Sequence, residues 1–116
     1  MEVYSKINND SAILKVEGKF NIDYIERFDQ IIKEVFEKHP SVIAVDLHDV
    51  EYIDSSALGS LIKAMNIAKK QSISLYLYNL QENIHDVFKL SYLDKFFLIQ
   101  TTAEMKDKYP DIQFEF

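Results

Sequence analysis

The segment D-L-H-D-V-E-Y-I-D-S-S, residues 46–56, concentrates the residue types that do chemistry. It holds Asp46, His48, Asp49, Glu51, Asp54, Ser55 and Ser56. A serine hydroxyl can act as a nucleophile or accept a phosphoryl group, and carboxylates can act as bases or as oxygen ligands for a hard cation. A serine hydrolase would need a histidine beside the serine and donors for an oxyanion. The histidines are His39, His48 and His85, and no G-x-S-x-G elbow is present. His39, before Pro40, reads as a helix-end residue, and His85 falls within a helical segment. The carboxylates around His48 show no defined ligand spacing, so they read as a solvated acidic segment and no metal is expected. The residues point to a binding module rather than an enzyme, and require no cofactor.

Composition narrows the field further. The 116 residues suit one domain, residues 1–116, large enough to bury a core without covalent staples. The absence of cysteine excludes disulfide frameworks, thiolate metal sites and cysteine nucleophiles. A formal charge of −6 repels nucleic-acid phosphates and anionic lipid. The N-terminal residues have no apolar signal region, and no stretch approaches the roughly 20 apolar residues of a membrane span. The expectation is a cytoplasmic protein that binds neither nucleic acid nor membrane. Gly18 and Gly59 are the only glycines, too few and too far apart for a glycine-rich phosphate cradle.

The elements that would position the polar segment follow from hydrophobic periodicity. Residues 3–7 and 11–17, separated by N-N-D-S, predict a β-hairpin. Ile22, Ile25, Phe28, Ile31, Ile32, Val35 and Phe36 recur at helical spacing, and Lys38, His39 and Pro40 end that helix. The run V-I-A-V-D-L, residues 42–47, lacks polar alternation and predicts a central strand covered on both faces, with a polar connection after it. A second helix is expected over 56–70, a strand over 73–78 and a third helix over 81–91, with Ile84, Val87, Phe88 and Leu90 on its buried side. A short strand at 96–99 and a last helix near 102–109 complete an α/β domain: a mixed sheet with an N-terminal hairpin and about four helices.

Sites in open α/β sheets gather at the carboxyl ends of strands. Asp54 or Ser55 is suited to cap the second helix by accepting a backbone N–H of its first turn. At about 100° per residue, Ser56 falls opposite the apolar set Ala57, Leu58, Leu61, Ile62, Met65 and Ala68 and is expected to be exposed. Gly59, Ser60, Lys63, Asn66 and Lys70 read onto the same outward face, with Ile67 adjacent. A partner's backbone could approach over Gly59 and Ser60, with Lys63 and Ile67 adding contacts.

The segment V-I-A-V-D-L-H-D-V-E-Y-I-D-S-S-A-L-G-S-L resembles the STAS domains, and within them the stand-alone anti-sigma factor antagonists. G-K-F-N, with Gly18, Phe20 and Asn21, looks like the first-loop G-x-L-D pattern of that family, and V-F-K-L-S-Y-L-D-K-F-F is similar to its third-helix ending. The resemblance runs from about residue 3 to residue 109. It implies a partner switch in which Ser56 is phosphorylated by an anti-sigma factor that is also a serine kinase, and a metal-dependent phosphatase removes the phosphate. The unmodified form would bind the anti-sigma factor and free a sigma factor; the phosphorylated form would let go.

Three positions depart from the family pattern: Asn21 replaces a usual Asp, Ala57 a frequent Gly, and Tyr92 a common Gly. Asn21 keeps a hydrogen-bond acceptor and loses a charge. Ala57 favours helix over Gly by about 1 kcal/mol, which stiffens the serine segment. Other STAS domains serve as adaptors in signalling or transport complexes, a reading in which Ser56 is only a cap or contact residue. A receiver-type aspartyl phosphoacceptor fails on element order, because the first strand turns through Asn8, Asn9 and Asp10 straight into a second.

Overall fold

A computed structural model describes residues 1–115. β1 (Glu2–Asn8) and β2 (Ser11–Phe20) form the expected hairpin, antiparallel with Asn8 facing Ser11. Its turn places Asn9 at φ 57, a left-handed conformation that asparagine tolerates. A short 3-10 turn, Ile22–Tyr24, leads into α1 (Ile25–Glu37); β3 (Val42–Ile53), α2 (Ser55–Lys70), β4 (Ser74–Tyr78), α3 (Glu82–Leu90), β5 (Leu98–Gln100) and α4 (Thr102–Lys108) follow. The strands lie in chain order across one sheet, β1 antiparallel to β2 and the rest parallel.

Right-handed crossovers stepping in one direction across the sheet put α1, α2 and α3 on a single face. Strand alternation agrees. Ala12, Leu14, Val16, Ile43, Val45, Leu47, Leu75 and Leu77 share one core with Phe28 and Ile32 of α1, Leu61 and Ala64 of α2, and Phe88 of α3. The intervening Ile13, Val42, Ala44, Tyr76 and Tyr78 point the other way, into a cluster closed by Met105 of α4 and by Phe114. This two-sided cover is why V-I-A-V shows no polar alternation.

Three expectations are corrected. β3 does not end at residue 47 but continues to Ile53, so most of the acidic segment is strand. Its inward residues there are Leu47, Val50 and Ile53, a spacing of three rather than two. The β2–β3 register shifts between Lys15 and Glu17 and again between Gly18 and Lys19, and such irregularities break the two-residue period by which a strand is recognised. Gly18, at the second shift, has φ +97, where a side chain would be strained. Second, Ile22 is 68% exposed: it lies in the 3-10 turn, out of phase with the helix that begins at Ile25. Third, Leu90 is 80% exposed, because α3 ends there and the chain turns through Ser91 and Tyr92.

Candidate functional site

The carboxyl end of β3 delivers Asp54 to the start of α2, where its backbone is extended and its side chain caps the helix. Asp54 Oδ1 accepts the Ala57 N–H at 2.9 Å, and Oδ2 accepts the Ile22 N–H at 3.0 Å. The Asp54 N–H donates to the Phe20 carbonyl at 3.2 Å, continuing the pairing of β2 with β3. Asn21 caps the neighbouring 3-10 turn in the same manner, Oδ1 accepting the Asp23 N–H at 3.1 Å. Of the two cap candidates, Asp54 takes the role, leaving Ser55 and Ser56 as the first and second residues of the helix. Asn21 and Asp54 thus build one corner from two loops, while Gly18 stays back in the strand irregularity.

Ser55 is exposed, whereas Ser56, expected in open solvent, is half-buried. Ser60, expected on the same outward surface, is only 5% exposed and belongs to the interior. Both differences have one cause. Ser56, Ser60, Lys63 and Ile67 are spaced four, three and four residues apart, so they line one flank of α2. That flank turns toward α1, as the Lys63 Nζ to Asp29 Oδ2 contact at 3.1 Å records. Ser60 is polar, yet it sits beside the buried stripe of Ala57, Leu61 and Ala64 on α2. Gly59 and Asn66 occupy the outward face, and a Cβ added at Gly59 would meet nothing within 4 Å. Lower on the α1 side, Lys63 and Ile67 border an open groove of about 740 Å³ with Asp29, Ile32 and Phe36.

The acidic segment is spread along β3 rather than gathered at one point, although Asp46 and Asp49 both act on Lys15. Asp46 Oδ1 accepts the His48 N–H at 2.9 Å. Asp49 pairs with Lys15 at 3.3 Å, and Glu17 lies 3.7 Å from the same ammonium. Hydrogen bonding to Asp49 lifts the Lys15 pKa above the ordinary lysine value, against the opposing effect of desolvation. Among the described residues, no three His, Asp or Glu side chains are grouped so as to hold a metal ion.

Exposed large apolar side chains flank this corner: Ile22, Tyr24 of the 3-10 turn, and Tyr52 near the end of β3. Sequence reasoning missed them. Ile22 matches the helical period of the residues that follow it, and Tyr52 shows its exposure only once the strand is known to run past residue 47.

A sheet in chain order with three helices on one face, and an aspartate-capped second helix beginning D-S-S at the end of its central strand, define a domain class. The family model for the STAS domain matches residues 2–106, and the chain belongs to that family. Among solved structures it is similar to a putative anti-sigma factor antagonist from Thermotoga maritima, at 27% identity and TM-score 0.82 over 90% of this chain and 92% of that one. It shares the fold of the anti-sigma factor antagonist SpoIIAA in its unphosphorylated form, at 18% identity and TM-score 0.78 over 97% and 99% of the two chains. It also shares the fold of the Bacillus cell fate determinant SpoIIAA in its phosphorylated form, at 17% identity and TM-score 0.71 over 92% and 98%. No helix among the described residues is long and apolar enough to cross a membrane.

Proposed function

We propose that this chain is an anti-sigma factor antagonist that switches partners by phosphorylation of Ser56, without catalysis or a cofactor of its own. Its partners in this reading are an anti-sigma factor that is also a serine kinase, and a phosphatase acting on the phosphoserine, all in the cytoplasm. The observation that carries the reading is the position of Ser56: second residue of a 16-residue helix, partly accessible, beside a cap tied to the neighbouring loop.

A phosphate there adds about −1.5 to −2 charges near neutral pH, next to backbone N–H groups and the positive end of the helix dipole. The fold therefore tolerates it. A docked partner does not: a dianion and Asp54 would share a desolvated interface, and charge there is costly unless cations compensate it. The partner's footprint in this reading centres on Ser56 and the open backbone at Gly59, with Ile22, Tyr24 and Tyr52 as apolar contacts. Lys63 and Ile67 extend it along α2. Ser60, being buried, supports the helix instead of touching the partner.

The test is co-purification from the native host with wild type, Ser56→Ala and Ser56→Asp, alongside mass analysis of the isolated protein. Ser56→Ala should retain the anti-sigma factor, and Ser56→Asp should lose it by more than about 100-fold, equivalent to roughly 3 kcal/mol. Both variants should keep the wild-type circular dichroism. Equal binding by folded Ser56→Asp, or a Ser56 that never carries phosphate under any growth condition, would overturn the switch and leave an adaptor.

A further inference from the structure

The sheet has two edge strands, β1 and β5. β5 has three residues and β1 has seven, so β1 is the long edge. The hairpin fixes which way its backbone groups point. Asn8 faces Ser11 across a two-residue turn, which makes them a hydrogen-bonded pair. Bonding then alternates along the strand, so Lys6, Tyr4 and Glu2 bond to Ile13, Lys15 and Glu17 of β2. The Asp10 carbonyl, of the other parity, agrees: it accepts the Ser41 N–H at 2.9 Å, on the side of β3. The N–H and C=O groups of Val3, Ser5 and Ile7 therefore point away from the sheet. Among the described residues, no turn, loop or cap supplies them a backbone hydrogen bond. Ser5 and Ile7 share the helix-side face with buried Val3, yet both are exposed, so α1 does not overhang this edge.

Sheet proteins ordinarily blunt a long edge with proline, a bulge or an inward charge. β1 has no proline, and its pairing with β2 runs without the register shifts seen between β2 and β3. Its sequence E-V-Y-S-K-I-N also complements itself when reversed. Antiparallel pairing about Ser5 sets Val3 against Ile7, Tyr4 against Lys6 and Glu2 against Asn8, and it uses every outward N–H and C=O of Val3, Ser5 and Ile7. Tyr4 and Ile7, 44% and 42% exposed, both gain cover. The Lys6 ammonium, which donates to the Glu115 carbonyl of its own chain, meets the Tyr4 ring of the other copy and lies diagonal to its Glu2. Neighbouring registers are poorer. Setting Tyr4 against Tyr4 carries Ile7 past the end of the facing strand, and setting Lys6 against Lys6 opposes like charges.

We propose that β1 is a self-association surface, on which two copies of the chain join their sheets edge to edge, antiparallel about a two-fold axis at Ser5. β2 separates this edge from β3, so the pairing leaves the head of α2 open and does not depend on the switch proposed for Ser56. A seven-residue strand on each side falls well short of the roughly 20–30 residues a side of a standard interface, which makes the dimer weak and concentration-dependent.

Sedimentation equilibrium of the full chain from about 10 μM to about 1 mM should show monomers in reversible exchange with dimers. Ser5→Pro removes an outward N–H and no bond to β2, and Ser5→Glu sets like charges face to face on the two-fold axis. Each should weaken dimerisation about tenfold or more, and Ser5→Glu should keep the melting temperature of the dilute wild type. The absence of cysteine gives the register its own readout. Tyr4→Cys and Lys6→Cys, mixed and mildly oxidised, should form disulfide-linked heterodimers about tenfold faster than either variant alone links to itself, because the two positions oppose each other with Cα atoms about 4.5 Å apart. A chain that stays monomeric throughout, or dimers indifferent to both Ser5 substitutions, would overturn the proposal. So would cross-linking no faster in the mixture than in the separate variants.

Discussion

The carboxylate of Asp54 accepts the backbone N–H of Ile22 at 3.0 Å across 32 residues of sequence, while its other oxygen caps α2 through Ala57 at 2.9 Å. One side chain thereby fastens the loop after β2 to the helix that carries Ser56. Helix caps ordinarily act within their own turn. Here the cap also holds a neighbouring loop, so the turn that carries Ile22 and Tyr24 is tied to the start of α2.

Asp54→Ala should therefore cost about 1–2 kcal/mol, the upper part of the range for losing a cap. Urea unfolding measures it. Amide exchange should accelerate at Ile22 as well as Ala57; acceleration at Ala57 alone would mean that the link between the loops carries no energy.

Gly59 sits in the interior of α2 with open space where a Cβ would stand. Gly59→Ala should stabilise the fold by about 0.5–1 kcal/mol, because alanine restricts the unfolded chain and favours helix. A melting temperature below wild type would contradict that placement. In the co-purification experiment the bulkier Gly59→Gln should weaken partner binding without destabilising the domain.

Ser60 and Gly59 are adjacent in sequence and opposite in environment. Ser60→Glu puts an unpaired charge on the buried side of α2 and should destabilise by about 3–5 kcal/mol, the penalty typical of an uncompensated buried charge. Gly59→Glu should fall near neutral or above. Chemical denaturation of the pair is a direct check on which flank of α2 is buried.

Alkaline pH should loosen the fold. Burial raises the Tyr78 pKa well above the ordinary tyrosine range, reinforced by Asp46 and Glu115. Burial and the bond to Tyr76 push Tyr109 up to about 12. Tyr76 runs the other way: burial resists its ionisation, but hydrogen bonds with Tyr109 and Lys108 outweigh it. The unfolded chain ionises its tyrosines near pH 10, so for Tyr78 and Tyr109 the folded state holds protons that the unfolded state has released. Their stabilisation is complete below about pH 10 and is lost as pH rises above it. Lys15, with its pKa raised by the hydrogen bond to Asp49, contributes in the same direction above the ordinary lysine value of 10.5. The melting temperature should stay level from about pH 7 to 9.5 and then fall, less steeply in Tyr78→Phe.

Much of this architecture is legible in the chain itself. The hairpin, the strand–helix alternation and the D-S-S helix start follow from local signals: turn residues, helical spacing and an uninterrupted apolar run. The fold expected from the resemblance to STAS domains agrees with the structure. The far end of β3 was illegible because two register shifts against β2 break its alternation just where its side chains turn acidic.

What the sequence by itself determined was where most of the helices and strands fall and which residue types stand at the head of α2, since both depend largely on neighbours within a few positions. Tertiary structure alone decided that Ser60 is enclosed, that Ser56 stands half-sheltered on the α1 flank, that Asp54 reaches Ile22, and that Phe114 covers Tyr78. Each of those depends on which distant element comes to lie against a given side, and a helical or strand period records only that a side is covered, never by what.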